Sequence, residues 1–359
     1  MQKSQKFNKL IGIFLGVFLV SLSTPIDAQQ QGLNFISEVK GKVEVLRAGR
    51  KNYQLAYPGD FLNSADKLRL VSGASAKVVC NNLSIWNPKS KGEFELDKGC
   101  QSTNGTVLTR QGSNTSDTRA GNDSRIPYLI SPRNTAIGNQ QPTLSWNPVK
   151  GATGYKVQIS GGEVNWITNV NQPMVVYSGK LPLKSGVFYE VVITASDGVS
   201  TKDIDDPTFF VLSDSDIQQV KTDVAQLQQQ PLSNESKTIA LAHLYRSKDL
   251  NADAIDVLEK LVKSGSQTTA VYQLLGSIYQ HIGLNLLAQE RYLTALKLAE
   301  AEKNLEAQAS IQVSIGEVYE TLNQSQQALQ RYQEAMTSYR TLGDEEEVRR
   351  LQHKLGAMK

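Results

Sequence analysis

Toward its C-terminus the chain carries three registered copies of one helical-hairpin pattern, and no other feature constrains its fold as strongly. The clearest copy runs through Tyr272, Leu275, Gly276, Tyr279, Ala288, Tyr292 and Ala295. A step back of 34 residues meets Leu241, Ala242, Tyr245, Ala254 and Leu258, and a step forward of 40 meets Ile315, Gly316, Tyr319, Ala328, Tyr332 and Ala335. A period near 34 residues marks stacked hairpins, because one such unit cannot bury its apolar face alone. Small residues on the first helices (Ala242, Gly276, Gly316) and on the second (Ala254, Ala288, Ala328) let antiparallel helices approach closely. Tyr279, Tyr292, Tyr319 and Tyr332 would fill the groove between hairpins, their hydroxyls reaching a polar edge. An ordinary amphipathic bundle is the alternative, but three registered copies argue against chance. The pattern departs at Thr238 and Gln312, which stand where Tyr272 is aromatic, and at Leu258, which replaces a tyrosine. The longer step implies roughly two extra helical turns, or a longer link, around 299–305.

A chain of 359 residues has room for two or three domains. Its net charge of +3 mixes both signs without a long basic run, which gives no case for nucleic acid. At the N-terminus, Lys3, Lys6 and Lys9 precede an apolar run from Leu10 to Val20 and then small residues up to Ala28. This order is that of a secretory signal peptide, 1–28, with cleavage after Ala28 leaving Gln29. The run falls short of the roughly 20 residues a membrane span needs, and a retained signal anchor is the alternative. The mature protein is expected in the periplasm, cell envelope or extracellular space and not to span a membrane. In such an oxidising compartment, Cys80 and Cys100, the only two cysteines, are expected to form a disulfide.

Residues 33–100 read as short strands broken by turns, with Val39, Val43 and Val45 alternating around Gly41. The order Val-x-Gly-x-Val, then Pro58-Gly59-Asp60, Asp66-Lys67, Gly73 and Ala76 before a Val-rich strand, resembles the FecR domain, a small all-β module of exported bacterial proteins. An unrelated small barrel or sandwich would leave the architecture the same. Residues 101–125 read as a flexible linker, 15 of the 25 being Ser, Thr, Asn or Gly, although 106–109 could still form a last strand. The Asn-x-Ser/Thr triplets at Asn104, Asn114 and Asn122 follow from that composition. Residues 126–212 alternate around Trp146 and Tyr155 and then Leu183, Gly186, Tyr189 and Val191, as in a β-sandwich of about seven strands. This order resembles a fibronectin type III-like domain, which implies a Tyr189 hydroxyl bonded back to a nearby backbone group. Trp146 and Tyr155 read as core.

Residues 213–359 read as helical, with a leading helix over 214–229, repeats over about 235–268, 269–308 and 309–342, and a polar-faced last helix over 345–355. The repeat residues resemble the tetratricopeptide repeat (TPR) family, whose first helices line a concave groove that takes a protein or peptide partner. The resemblance places His243 and Arg246, then Gln273, Ser277 and Gln280, then Glu317 and Glu320 in that groove. The alternative is a short stack that packs only on the chain's own β domains.

Motifs for chemistry are missing: there is no HExxH, GxSxG, phosphate-binding GxxxxGK[ST] or CxxC. Ser64-x-x-Lys67 lies in a turn that the FecR-like pattern explains, and the acidic run 203–206 lacks a spaced calcium loop. No cofactor or metal is expected. The fold class is therefore multidomain, two small all-β domains followed by an all-α solenoid, and the expected role is a non-catalytic adaptor or scaffold. The β domains would engage an envelope component or glycan. A FecR-type sensor of envelope signals is one alternative, and a glycan-binding surface module using Trp86 and Trp166 is another.

Overall fold

The computed structural model of the chain describes residues 32–101, 105, 107–110, 123–202 and 206–358. The expected signal segment 1–28, most of the linker with Asn104, Asn114 and Asn122, and Asp203, Ile204 and Asp205 of the acidic run lie outside the described residues. Among the described residues, no helix is long and apolar enough to cross a membrane.

The first β region holds β1 (Asn34–Lys40), β2 (Val43–Leu46), β3 (Gln54–Leu55), β4 (Phe61–Leu62), β5 (Lys67–Leu70), β6 (Ser75–Val79), β7 (Ile85–Trp86) and β8 (Gly92–Glu95). They form two four-stranded sheets, β4-β1-β6-β7 and β3-β2-β5-β8. Alternation along the strands turns Val43, Val45, Leu68, Leu70, Ala76 and Val78 into one core. The single turn α1 (Leu96–Gly99) carries Cys100 back to the end of β6, where it is bonded to Cys80. The bond spans a separation of 20 residues, and in the chain-entropy model such a loop contributes about 3 kcal/mol. Replacing both cysteines by alanine is expected to lower the stability of this region by that amount, read from the denaturant midpoint. An unchanged midpoint, or two reactive thiols in untreated protein, would refute the bond.

Within the expected linker, residues 107–109 are bonded to the first β region. Leu33 N–H donates to the Leu108 carbonyl (3.0 Å), and the N–H groups of Val107 and Leu108 both donate to that of Asn81 (2.8 and 2.7 Å). Gly32 pairs with Thr109, and Leu108 is fully buried. Its apolar side chain ties these residues to the first β region.

The second β region holds β9 (Leu129–Ser131), β10 (Thr135–Ile137), β11 (Thr143–Trp146), β12 (Tyr155–Gly161), β13 (Val164–Val170), β14 (Met174–Val176), β15 (Phe188–Ala195) and β16 (Thr208–Val211). A five-stranded sheet, β10-β16-β15-β12-β13, packs on a three-stranded one, β14-β11-β9. The eighth strand arises because the chain crosses between sheets after β9, so that β10 pairs parallel with β16. Trp146 is buried edge-on against Tyr155 at 5.3 Å, and the Tyr189 hydroxyl accepts from the Lys184 N–H at 2.7 Å. Trp86 and Trp166 are each half-buried, on different domains, against Phe94 and Tyr177 respectively. They do not form one exposed stacking face.

Eight helices follow: α2 (Asp214–Gln228), α3 (Asn234–Ser247), α4 (Asn251–Lys263), α5 (Thr269–His281), α6 (Asn285–Glu302), α7 (Leu305–Thr321), α8 (Ser325–Leu342) and α9 (Glu345–Ala357). Ser213, Ser233, Asn304 and Asp344 cap their helices by accepting a backbone N–H three residues on. The longer repeat step is taken up in the helices: α6 and α7 have 18 and 17 residues against 13 and 13 in α4 and α5. The link itself shortens. A Cβ at Gly276 would lie 2.7 Å from the Tyr292 ring, and one at Gly316 would lie 2.5 Å from that of Tyr332. Glycine at these positions is what lets each ring lie flat on the neighbouring helix. On α9, Val348, Leu351 and Leu355 face inward and close the stack.

Both β regions are seated on the helices. Leu33, Phe35, Val79, Leu83 and Leu108 belong to the same continuous core as α3 to α9. On the sandwich side, Ala136 N–H donates to the Asp249 carbonyl (2.9 Å), and the fully buried Arg133 donates to the Ile282 carbonyl (2.7 Å) at the end of α5. A cation there complements exposed helix carbonyls.

Candidate protein-binding groove

The first helices of the repeats, α3, α5 and α7, line one concave face, and the first β region sits against it. The turn 57–60 enters because Gly59 has φ +97° and no side chain: a Cβ there would lie 2.2 Å from that of Ala270 on α5. Phe35 and Phe61 close on His243 of α3 with ring centroids 5.0 and 5.6 Å away. Arg47 bridges Asp66 of its own domain (2.9 Å) and Glu306 of α7 (2.8 Å). Arg50 reaches Asp344 (2.5 Å), and the Tyr57 hydroxyl donates to the Glu302 carbonyl (3.1 Å). At the other edge, Ser236 Oγ donates to the Ser37 carbonyl (3.0 Å), and Glu38 accepts from Ser233 N–H (2.7 Å).

Between the two walls lies a cavity of about 710 Å³. The β wall contributes Arg47, Arg50, Asp60, Phe61 and Arg110; the helical wall contributes Arg246, Gln273, Ser277, Tyr292, Ser310 and Ser314. That volume falls in the range of sites that hold a small ligand or a few residues of peptide.

Four of the seven expected groove residues, His243, Arg246, Gln273 and Ser277, line this cavity. His243 is buried under the β domain rather than presented to a partner, and Gln280 is buried as well. Gln280, Glu317 and Glu320 serve internal bonds: Gln280 accepts from the Tyr292 hydroxyl (2.8 Å) and donates to Glu317 (3.2 Å), while Glu320 accepts from the Tyr332 hydroxyl (2.6 Å). Missed altogether were Arg47, Arg50 and Arg110, because a groove read from helical repeats alone says nothing about a β domain seated in it.

Two groups at this junction titrate in opposite senses. Asp60 keeps a partial opening but is surrounded by protein, and burial raises it from 3.8 to about 7, with Arg47 opposing and Glu306 and Glu302 adding. His243 is lowered from 6.5 to about 3 by burial and by Arg246 and Arg110. The folded state therefore binds the Asp60 proton more tightly than the unfolded chain, which adds stability as pH falls from about 7 to 3.8 and removes it as pH rises. His243 does the reverse, losing stability as pH falls from 6.5 toward about 3. The two contributions oppose each other. Asp60→Asn is expected to make the protein acid-sensitive over that window, and His243→Gln to make it gain stability on acidification. Denaturant midpoints taken across this range check both, and three parallel curves would contradict the assignment.

Residues 267–341 match the family model for tetratricopeptide repeats. A comparison with curated proteins finds no match. Among solved structures, the chain is similar to BtubC (BKLC) from P. vanneervenii, with 19% identity, a TM-score of 0.34, and coverage of 39% of this chain and 63% of that one. It is also similar to MamA (20% identity, TM-score 0.28, 41% of this chain and 95% of that one). A third is a putative kinesin light chain with nearly identical TPR-like repeats from Podosopora anserina (18% identity, TM-score 0.29, 39% and 87%). This chain thus spans 63% of the length of the first of these structures. A C-terminal TPR region following an N-terminal β-rich region is the architecture of the chain.

Proposed function

We propose that the protein is an exported, non-catalytic adaptor that holds a segment of a protein partner between its first β domain and the concave face of its TPR repeats. The observation that carries this reading is the cavity walled by both. A stack that served only to seat its own β domain would close on it, as the Phe35–His243–Phe61 contact does, rather than leave a polar space beside it. The FecR-like and fibronectin III-like identities of the β regions belong to this proposal. The Pro58-Gly59 turn, with Gly59 at positive φ, and the bond from Lys184 to the Tyr189 hydroxyl support them. Export rests on the basic-apolar-small order of residues 1–28.

The full mature chain is the material to test, because the repeats share their core with the first β domain. Ser277→Trp places a bulky ring in the cavity. An envelope protein retained by the unaltered chain and lost with Ser277→Trp, at unchanged helical content, is the expected result. No retained protein, or equal retention by both, would sink the adaptor reading.

A further inference from the structure

The five-stranded sheet β10-β16-β15-β12-β13 has two edges, and the fold treats them differently. The β10 edge is covered: Ala136 N–H and Thr135 Oγ1 both donate to the Asp249 carbonyl, each at 2.9 Å. At the opposite edge, β13 pairs with β12 along its whole length without a bulge. Among the described residues, no strand pairs with its far side. Ser196 N–H donates to the Gly154 carbonyl, so even-numbered residues of β12 bond toward β15 and odd-numbered ones toward β13. In the register that sets Gly161 against Val164, the backbone groups of Val164, Trp166, Thr168 and Val170 are therefore the ones that meet β12. Those of Asn165, Ile167 and Asn169 point to the open edge.

An open edge is a template for another strand, and folded proteins blunt it with charges, proline or a bulge. β13 has none of these. No residue from 164 to 179 is charged, in a chain where 20% of residues are. Ile167 stands 49% exposed at the centre of the strand. The strand also reads nearly alike from both ends: Val164-Asn165-Trp166-Ile167-Thr168-Asn169-Val170.

We propose that two copies of this chain join through β13, antiparallel about a two-fold axis at Ile167, so that their five-stranded sheets become one. This register sets Val164 against Val170 and Asn165 against Asn169 of the second copy. The hydrogen-bonded pairs then fall at Asn165, Ile167 and Asn169, the residues whose backbone groups are open. Ile167 meets its own counterpart on the outer face, where directly opposed apolar side chains contribute. Asn165, whose Oδ1 accepts from Gln158 (3.2 Å), has its amide N–H groups left for Asn169. The nearest charge, Glu163, faces Asn171 rather than another carboxylate. Because the other edge of the sheet is covered, the pairing closes at two copies instead of running on. None of the residues lining the cavity lies in the sandwich, so this inference holds or fails independently of the adaptor reading.

The test is sedimentation velocity of the full mature chain over a concentration series. A reversible monomer–dimer equilibrium without larger species is expected. Ile167→Lys sets two ammonium groups opposite each other and should weaken the dimer about tenfold or more, with the unfolding midpoint unchanged. Leu55→Lys, equally exposed at 51% but on β3 of the first β region, should leave the dimer as it is. Two double substitutions check the register. Asn165→Lys with Asn169→Lys opposes like charges and should weaken the dimer, whereas Asn165→Asp with Asn169→Lys opposes unlike charges and should preserve or tighten it. Only monomer up to about 1 mM, open-ended association, equal loss in Leu55→Lys, an undiminished dimer in Ile167→Lys, or the same response to both double substitutions would overturn the proposal.

Discussion

Tyr332→Ala should destabilise the helical region by about 3–5 kcal/mol, the range for emptying a buried aromatic site. The ring is fully buried and lies on Gly316, so no neighbouring side chain can swing in to fill the space. The hydroxyl donates to Glu320 (2.6 Å), and the Lys354 ammonium of α9 sits 5.0 Å above the ring while pairing with the same carboxylate. Removing the side chain therefore loosens α7, α8 and α9 together. Tyr332→Phe separates the contributions: it keeps the packing and leaves Glu320 with Lys354, so a loss of about 1 kcal/mol is expected. Urea unfolding followed by far-ultraviolet circular dichroism reads both. Equal effects of the two substitutions would contradict the packing argument.

Arg47→Ala should weaken the seating of the first β domain on the repeats by about 3 kcal/mol. That is the low end for breaking a buried ion pair, because Asp66 retains the N–H groups of Ala48 and Asn63, each at 3.0 Å. Glu306 keeps only a longer pairing with Arg50, at 3.5 Å. Burial would lower the Arg47 guanidinium, but Glu306, Asp60 and Asp66 together hold it above its ordinary value, so the charge is integral to the junction. Lys77, paired with Glu38 at the far edge of the same interface, provides the comparison: its side chain is a quarter exposed, and Lys77→Ala should cost under about 1 kcal/mol. Limited proteolysis between residues 101 and 125 should accelerate in Arg47→Ala and not in Lys77→Ala. Indistinguishable rates would remove Arg47 from the junction.

Much of the fold is legible along the chain because it depends on local periodicity. The spacing of Ala254, Ala288 and Ala328 against Tyr292 and Tyr332 places close helix crossings at fixed intervals, and these residues are buried as that spacing requires. Alternation around Trp146 and Tyr155 likewise marks an inward face, and both side chains are in the core. Register within a hairpin is legible for the same reason, down to Leu258 standing where the other copies have a tyrosine. Candidate groove residues were half legible: the family resemblance put His243, Arg246, Gln273 and Ser277 on the concave side, and these four line the cavity. The resemblance could not show that Gln280, Glu317 and Glu320 are consumed by tyrosine hydroxyls and by one another, since those bonds depend on distances between neighbouring helices.

Local pattern along the chain was enough to establish repeats, strands and the helix faces that must be buried, because propensity and burial act over a few residues. Tertiary structure decided what the concave face holds. Arg47 and Glu306 lie 259 residues apart in the chain, and no periodicity links them. They meet because Gly59 lets a turn approach α5 and Phe35 and Phe61 close over His243. The same packing leaves a cavity between the domains, lined from both, which is the candidate site.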